Sequence, residues 1–166
     1  MNKFFSEFRN DHRQIRDLVL GSITAITNEN IEKAKKLLEK LDDVAGPHFR
    51  FEEEALYPKL IPIYGAGYID KLYTDHDLAI ARFERLKSIL NKSNLNADEL
   101  ETVISLLREL LPHLSDCEGL TIMLELFDGR RIEKIYKAMN EARQKNVGLL
   151  SWSDTVRNRQ HLTLLN

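Results

Sequence analysis

The amino-acid sequence predicts an all-α protein, an up-down-up-down four-helix bundle with a short additional C-terminal helix and a tail. Apolar residues recur at spacings of three and four along the chain, and no stretch alternates as a strand would. The 166 residues include only 7 Gly and 4 Pro, and 43% are hydrophobic, a composition typical of one helical domain with a substantial core. Four long helices with short connections favour the up-down-up-down order.

The helices are predicted in chain order from their apolar faces, their caps and the Gly and Pro residues between them. The first spans 2–27, and its buried side consists of aromatic and β-branched residues: Phe4, Phe5, Phe8, Ile15, Val19, Ile23 and Ile26. Asn30 caps the second helix, which runs to residue 60 before a turn at 61–67. The remaining helices are predicted at 68–91, 97–127 and 130–145.

These helices divide the chain into two predicted parts. Residues 1–127 form the four-helix bundle, and residues 128–166 form the short fifth helix and the tail. From Asn146 the tail shows no clear pattern, and we expect it to be partly flexible.

Charge and composition exclude several classes of protein. A net charge of −2 argues against a general nucleic-acid binder, which shows a basic excess. The single cysteine, Cys117, excludes an internal disulfide and a Cys-x-x-Cys metal site. The first residues become charged too early for a signal peptide, and no apolar run reaches the roughly 18 residues of a membrane span. We therefore expect a cytoplasmic protein that contacts neither membrane nor nucleic acid.

An internal repeat of polar residues runs through the two halves of the bundle. Each half has an Asp-His pair, a Pro-His pair inside a helix and a following carboxylate: Asp11-His12, Pro47-His48 and Glu52, then Asp75-His76, Pro112-His113 and Glu118. The two histidines are 36 positions apart in the first half (12 to 48) and 37 in the second (76 to 113). Counting residues to each turn, at about 1.5 Å per residue, places these groups at one level of the bundle.

Buried together, these side chains predict a metal site, because unpaired polar groups are costly to bury. The predicted ligands are four imidazoles and two carboxylates: His12, His48, Glu52, His76, His113 and Glu118. This set exceeds the needs of one tetrahedral zinc and suits two metals, with the two glutamates bridging them. Mixed nitrogen and oxygen ligation fits iron, with manganese or zinc as alternatives. The absence of Glu-x-x-His pairs argues against a ferritin-like plan, and that of His-Glu-x-x-His against a zinc protease.

The segments that carry these residues resemble the hemerythrin-like, or HHE, di-iron proteins over roughly residues 1–127. The resemblance depends on His12, on HFRFEEEALYP from His48, on His76, and on HLSDCE from His113. It implies a four-helix bundle with two non-haem iron ions (Fe²⁺/Fe³⁺), bridged by carboxylates and an oxo or hydroxo group. It further implies that oxygen or nitric oxide binds at an open iron position, with the histidine pair of each half serving one iron.

One departure from the family pattern concerns the third helix. Oxygen-carrying hemerythrins have a His-x3-His pair there, whereas in this chain Leu72 and Ile80 lie four positions to either side of His76. One iron would therefore be under-coordinated, or would use water or Tyr73 in place of the second histidine. Extra open positions favour redox chemistry or nitric oxide binding over reversible oxygen carriage.

A second difficulty concerns the fourth helix. His113 and Glu118 are five positions apart, about 140° round an ideal helix, so a local bulge near Pro112 would have to bring them together. Cys117 lies four positions after His113 and is expected to be a small buried hydrophobic residue.

The residues around the predicted ligands are expected to have supporting positions. Asp11 and Asp75 are predicted to be solvated or to support the ligand histidines from behind. Glu53 and Glu54 are predicted to face outward, with an extra metal ligand as the alternative for Glu53, and His161 is predicted to be an exposed tail residue. Four aromatic residues are predicted in the core, where some would wall the metal pocket and restrict water: Phe8, Phe49, Phe51 and Tyr57.

Three functions remain open from the sequence. The first is a di-iron protein that binds a small gaseous ligand, oxygen or nitric oxide, for storage or sensing. The second is a di-iron enzyme that reduces nitric oxide or peroxide, or delivers iron to damaged iron–sulfur clusters. The third is a metal-responsive module whose fifth helix and basic tail engage a protein partner. In each case metal affinity is expected to fall below about pH 6, because histidines must be neutral to bind a metal.

Overall fold

The computed structural model describes residues 3–162, and within them all regular structure is helical, which confirms the predicted all-α class. The described chain forms α-helices and one π-helical segment. In chain order these are α1 Lys3–Thr27, α2 Ile31–Phe51, the π segment Glu52–Leu56, α3 Tyr57–Tyr64, α4 Ala66–Leu90, α5 Ala97–Arg108, α6 Leu111–Gly119, α7 Thr121–Leu124, α8 Gly129–Lys145 and α9 Leu149–Thr155.

The predicted first, third and fifth helices are confirmed with small shifts at their ends. α1 ends at Thr27 as predicted, while its predicted start at Asn2 lies outside the described residues. α4 begins two residues earlier than predicted, and α8 begins one residue earlier. The side chain of Asn30 accepts a hydrogen bond from the Lys33 N–H at 3.0 Å, so it caps α2 as predicted.

The second predicted helix continues beyond residue 60, where its end was predicted. α2 runs through Pro47 without a break, and the π segment and α3 extend it. The π segment holds one additional residue per turn, since the Tyr57 N–H donates to the carbonyl of Glu52, five residues earlier. The chain then turns at Gly65 alone, whose φ of +80° favours glycine. The prediction of a turn over 61–67 was therefore wrong in its extent.

The prediction of one unbroken fourth helix over 97–127 was also wrong, because three shorter helices form there. α5 ends before Pro112, which lies in the first turn of α6 and has no N–H to continue the hydrogen-bond ladder. Before this break, the Leu110 N–H bonds to the carbonyl of Leu107, only three residues back, at 3.2 Å. A similar tightened turn at Leu120 separates α6 from α7.

The segment after Asn146, where no pattern was predicted, includes α9, which packs against α2 and α4. Asn146 itself adopts the left-handed conformation, with φ 46°, that ends α8. Trp152 on α9 is 1% exposed and joins the apolar interior. Beyond α9, the side chains of Arg157 and Arg159 contact carboxylates on the π segment and α4.

α2 packs against helices from both ends of the described chain. It packs along α1 and also contacts α4, α8 and α9, while α5 contacts α1 and α4. The backbones approach closely at Gly46, where a Cβ would lie 2.2 Å from the carbonyl oxygen of Val147 and 2.6 Å from the backbone nitrogen of Leu149. The link between α8 and α9 therefore rests directly on α2, two residues before His48.

A layer of buried polar residues divides the apolar interior into two clusters. One cluster includes Val19, Leu41, Leu86 and Trp152, and the other includes Phe4, Leu60, Leu72 and Met139. On α1 and α4 the buried histidine lies between the residues of one cluster and those of the other. No described helix is both long and apolar enough to cross a membrane.

Candidate metal centre

The polar layer brings five of the six predicted ligands together. Five helical segments supply them, and each side chain is at least nine-tenths buried: His12 on α1, His48 on α2, Glu52 on the π segment, His76 on α4 and His113 on α6. Their side chains form two groups of potential ligand atoms, and within each group these atoms lie within 4.8 Å of one another. Glu52 is a member of both groups.

The first group consists of His12, His48 and Glu52. The Oε1 atom of Glu52 lies 3.3 Å from His48 Nε2 and 3.8 Å from His12 Nε2. The two imidazole rings stand nearly perpendicular, with centroids 4.6 Å apart. One carboxylate oxygen therefore faces the Nε2 atoms of both histidines of the first half.

The second group consists of Glu52, His76 and His113. The other oxygen of Glu52, Oε2, lies 3.2 Å from His76 Nε2. The rings of His76 and His113 are again nearly perpendicular, with centroids 4.6 Å apart. The sequence repeat is thus matched by two similar histidine pairs, one on each side of a shared carboxylate.

The π segment brings a second carboxylate to the site, which a regular helix was not expected to do. Glu53 was predicted to face outward, but its side chain is 4% exposed, and its Oε1 lies 2.9 Å from His76 Nδ1. Two consecutive glutamates therefore contact opposite nitrogens of one imidazole. When His76 is neutral, the Glu53 carboxylate holds the proton on Nδ1 and leaves the Nε2 lone pair for a metal.

The aspartates of the repeat support histidines of the neighbouring helix. Asp11, which precedes His12, has its Oδ2 atom 3.5 Å from the Nδ1 of His48. Asp75, which precedes His76, has its Oδ2 atom 3.6 Å from the Nδ1 of His113. Of the two predicted alternatives, solvated or supporting, the structure favours the supporting position for both.

Each supporting carboxylate is paired in turn with a cation. The Arg143 Nη2 of α8 donates to Asp11 Oδ1 at 2.7 Å, and Lys71 Nζ donates to Asp75 Oδ2 at 2.8 Å. Arg157, beyond α9, donates to both carboxylate oxygens of Glu53 at 2.8 and 3.0 Å. These cations orient the carboxylates, and the carboxylates orient the imidazoles.

The pKa values reflect one carboxylate surrounded by histidines. Burial would raise the pKa of the Glu52 carboxyl, but His48 and His12 help to hold it well below its usual range. Burial would lower the pKa of His48, but the carboxylates of Glu52 and Asp11 raise it to about 9. Burial prevails at His12 and His113 and lowers the pKa of each. Without a metal, the site therefore combines a charged imidazole with neutral ones.

The unpaired polar atoms of the site fit a metal ion. Within the described chain, four buried atoms of the layer have no hydrogen-bond partner: both ring nitrogens of His12, Nδ1 of His48 and Oε1 of Glu52. Leaving such a group unpaired costs about 1–3 kcal/mol. A cation between the imidazoles and the carboxylate would satisfy the inward-facing atoms, and these donors are ones that transition metals bind.

Tyr57 and Cys117 close the second group, which the sequence reasoning did not foresee. Both are buried as predicted, but the Tyr57 hydroxyl lies 3.1 Å from His76 Nε2 and 3.2 Å from Glu52 Oε2. Cys117 Sγ lies 3.3 Å from His113 Nε2 and 3.2 Å from that hydroxyl. Burial is the main cause that raises the pKa of the phenol and of the thiol well above their usual ranges.

Tyr73, predicted as a possible substitute for the second third-helix histidine, faces away from the two groups. Its hydroxyl donates to the backbone carbonyl of Glu53 at 3.0 Å. The tyrosine beside His76 is Tyr57, five residues after Glu52, a spacing that shares a face only when the turn is π-helical. That spacing is the signal from which Tyr57 could have been found.

Glu118 is the predicted ligand that lies outside both groups. Its side chain is 51% exposed, and one oxygen lies 4.0 Å from Arg9 Nε. Between His113 and Cys117 the chain stays α-helical, so Cys117 rather than Glu118 shares the face of His113. The expected bulge lies in the Glu52 segment instead, and ligation by Glu118 stays a prediction without support from this geometry.

An all-helical chain with a buried carboxylate between two histidine pairs defines a helical metal-binding domain. Comparison with protein families matches residues 3–124 to the hemerythrin HHE cation binding domain. The match covers most of the chain, and the protein belongs to this family, as its motifs implied. Neither the comparison with curated proteins nor that with solved structures gives a match. α8 and α9, with Arg143 and Arg157, lie beyond the matched residues.

Proposed function

We propose that this is a non-haem di-iron protein that binds oxygen or nitric oxide at an open iron position. The observation that carries the proposal is Glu52, which is fully buried between two pairs of histidines. Each group then offers two imidazoles and one carboxylate, the donor set typical of non-haem iron with open positions for a small ligand. Iron bound there supplies reversible binding of a diatomic gas and one-electron chemistry.

The residues around the histidines orient the rings and exclude water. Phe49 stacks on His76 with centroids 3.8 Å apart and planes 9° from parallel. Phe8 packs edge-on against His12, with centroids 4.4 Å apart. These aromatic rings restrict the access of water to each histidine pair and slow the exchange of a bound ligand. Behind the rings, Glu53 lies within hydrogen-bonding distance of His76 Nδ1, and the carboxylates of Asp11 and Asp75 face the Nδ1 atoms of His48 and His113 at 3.5 and 3.6 Å.

The predicted up-down-up-down order of four long helices is part of this proposal. The contacts of α1 with α2 and α5, and of α4 with α2 and α5, support it. Such a ring of neighbouring helices lets each contribute one polar residue to a common level. The cytoplasmic location stays a prediction from the sequence.

The proposal is tested first by the metal content of protein expressed with iron and purified without added metal. We expect a pair of iron ions per chain in the natural protein. The Glu52→Gln variant should lose most of this iron, since its amide offers neither charge nor two equivalent oxygens to the histidine pairs. Glu54→Gln is the matched control, because Glu54 is an exposed neighbour paired with Arg50. Equal iron in all three proteins, or none in the natural protein, would contradict the proposed site.

Gas binding is tested on the iron-loaded, reduced protein. Addition of nitric oxide, and separately of oxygen, should change the visible absorbance with saturation near one ligand per chain. Protein that holds its iron but shows no saturable change with either gas would contradict the binding function.

A second candidate function, reduction of peroxide or nitric oxide, is favoured by Tyr57. Its hydroxyl keeps its proton and lies within hydrogen-bonding distance of both His76 and Glu52, so it could donate a proton to a ligand bound beside them. Reduction of hydrogen peroxide to two water molecules consumes two protons and two electrons, and an external reductant must supply the electrons. Tyr57→Phe should then lower turnover while leaving the iron content unchanged. Turnover no faster than that of free iron would remove this candidate.

The third hypothesis, a basic tail that engages a partner, has less support from the contacts of the tail. Arg157 pairs with Glu53 and with Asp77, whose Oδ1 lies 2.6 Å from Arg157 Nη2. Arg159 Nε donates to the other oxygen of Asp77 at 2.8 Å. These two arginines are thus already engaged within the chain, and a protein partner would have to compete with these contacts.

A further inference from the structure

A cleft of about 410 Å³ opens between α1 and α6 and reaches the first histidine of the metal layer. Three arginines line it, and their spacing of four and three residues places them on one face of α1: Arg9, Arg13 and Arg16. Among the residues that line it, Glu118 is the acidic one. The lining of the cleft therefore has an excess of positive charge directly beside the candidate metal centre.

Not all of this charge is neutralised within the described chain. Arg16 Nη2 lies 2.7 Å from the carboxylate of Asp17, and Arg9 is only 4.0 Å from Glu118. Arg13 is exposed and forms no ion pair or hydrogen bond with any described residue. The guanidinium of Arg13, with that of Arg9, is therefore available to a ligand that enters the cleft.

The inner end of the cleft is His12, which points to a ligand independently of the arginines. The His12 side chain is 3% exposed, and neither of its ring nitrogens has a hydrogen-bond partner in the described residues. A path lined by cations thus ends at an unpartnered buried imidazole, which belongs to the first group of potential metal ligands.

Two further clefts that reach the histidine layer have a different charge. One, of about 170 Å³, reaches His48 and is lined by Asp11, Asp43 and Arg143. The other, of about 300 Å³, reaches His113, and its charged lining is Lys71, Arg82, Asp75, Glu109 and Asp116. Acidic side chains outnumber basic ones in both. Of these three routes, only the one to His12 favours an anion.

We propose that the arginine cleft binds a small inorganic oxyanion and leads it to the metal held by His12, His48 and Glu52. The metal part of this inference rests on the proposed function, whereas anion binding by the arginines does not. Guanidinium groups donate paired hydrogen bonds to oxyanions. A positive cleft also raises the local concentration and the association rate of anions, and salt weakens this effect.

The test measures association rates by stopped-flow absorbance on the iron-loaded protein. Nitrite, as the anionic probe, is mixed with the ferric form at low and high ionic strength, and nitric oxide, as the uncharged probe, with the ferrous form. Arg13→Gln should slow nitrite association about threefold to tenfold at low salt, with a smaller effect at high salt. The rate for nitric oxide should not change. Arg85→Gln is the control, because Arg85 is exposed on α4 and lines none of these clefts.

The outcomes separate this inference from the proposed function. The anion-binding proposal alone is overturned if the association rate of nitrite changes neither with salt nor with Arg13→Gln, in protein that still binds nitric oxide. If the chain takes up no iron, the proposed function fails, and the cleft is judged on the full-length metal-free protein. Saturable shifts of the Arg9 and Arg13 side-chain NMR signals on addition of inorganic phosphate then support anion binding in the cleft. Equal shifts of the Arg85 signals overturn it.

Discussion

The consecutive glutamates Glu52 and Glu53 have different roles because their carboxylate oxygens face different atoms of the surrounding side chains. Glu52 presents its two oxygens to Nε2 atoms, Oε1 towards the first histidine pair and Oε2 towards His76. Glu53 presents its oxygens to His76 Nδ1 and to Arg157. A metal would replace the contacts of Glu52 and leave those of Glu53 intact. At this scale, the partner atom rather than the residue type decides which carboxylate is a ligand.

The raised pKa of His48 makes the stability of the metal-free protein pH-dependent. A pKa of about 9 in the folded state, against about 6.5 when unfolded, means that the charged imidazole stabilises the fold fully below pH 6.5. This contribution is lost as the pH rises through 9. We expect the free energy of unfolding, measured with urea on metal-free protein, to fall by about 1–3 kcal/mol between pH 7 and 9.5.

His48→Gln should reduce this pH dependence, because one titrating group is gone while Glu52 and Asp11 remain. The remaining dependence in the same sense comes from His76, where burial would lower the pKa but Glu52 and Glu53 raise it. His161→Gln, which changes an exposed histidine of the tail, should leave it unchanged. The lowered pKa values of His12 and His113 act in the opposite sense, since their contribution is present above pH 6.5 and lost below it. A stability that rises steadily from pH 7 to 9.5 would contradict the charged state of His48.

The repeat made the histidines predictable from the sequence, but it could not reveal every side chain around them. His12, His48 and their counterparts recur at matching intervals, so a common level followed from helix geometry alone. The positions of Glu53 and Tyr57 depend on one π turn, which shifts the helical register by a residue. No local propensity marks such a turn, because tertiary packing selects it.

At the scale of elements, the C-terminal helices hold the metal layer from outside. α8 contributes Arg143 to Asp11, and the segment after α9 contributes Arg157 to Glu53. Asp11 faces His48 of the first group of potential ligands, and Glu53 faces His76 of the second. Sequence periodicity predicted α8 but not α9, since the seven residues of α9 make only about two turns. Its order depends on burying Trp152 rather than on a repeating apolar face.

Loss of Arg157 should weaken metal binding at the second group. With Arg157→Gln, Glu53 loses two charge-assisted hydrogen bonds and no longer fixes the orientation of His76. We expect the metal dissociation constant, measured by competition with a chelator, to rise about tenfold. Arg159→Gln is the matched control, because Arg159 pairs with Asp77 and Asp70 rather than Glu53. An equal loss of metal affinity in both variants would show that the tail acts only by packing against the helices. That result would contradict the positioning of Glu53 by Arg157.

Gly46 should be required for the close packing of the link between α8 and α9 on α2. A Cβ there meets backbone atoms of residues 147–149 at 2.2–2.6 Å, and backbone atoms cannot move aside as a flexible side chain can. Gly46→Ala should lower the free energy of unfolding by about 1–3 kcal/mol, measured by urea denaturation of the metal-free protein. Gly21→Ala, which meets only Leu37 Cδ1 at 3.5 Å, should instead gain about 0.5–1 kcal/mol of helix propensity. A neutral Gly46→Ala would contradict the close approach.

At the scale of the whole molecule, the polar layer lies between two apolar clusters. The all-helical class, the first helix and the third were predictable because long apolar periodicity dominates them. The divided fourth helix was not, because the same periodicity continues across the breaks at residues 109–110 and 120. The apolar pattern of the sequence indicates which face of a helix is buried. Whether the helix continues depends on its backbone hydrogen bonds.

The same layer should make the fold depend on its metal. In the metal-free state, four buried atoms of the layer without hydrogen-bond partners destabilise the fold. A ligand that binds only the folded chain stabilises that chain by about 4 kcal/mol when present at about 1,000 times its dissociation constant. Calorimetry should therefore show a higher Tm for the metal-loaded protein than for the chelator-treated one, with the difference reversed on adding metal back. In Glu52→Gln the difference should shrink strongly, and in Glu54→Gln it should persist. Equal Tm values with and without metal in the natural protein would mean that the two apolar clusters hold the fold unaided and that the histidine layer is not a structural metal site.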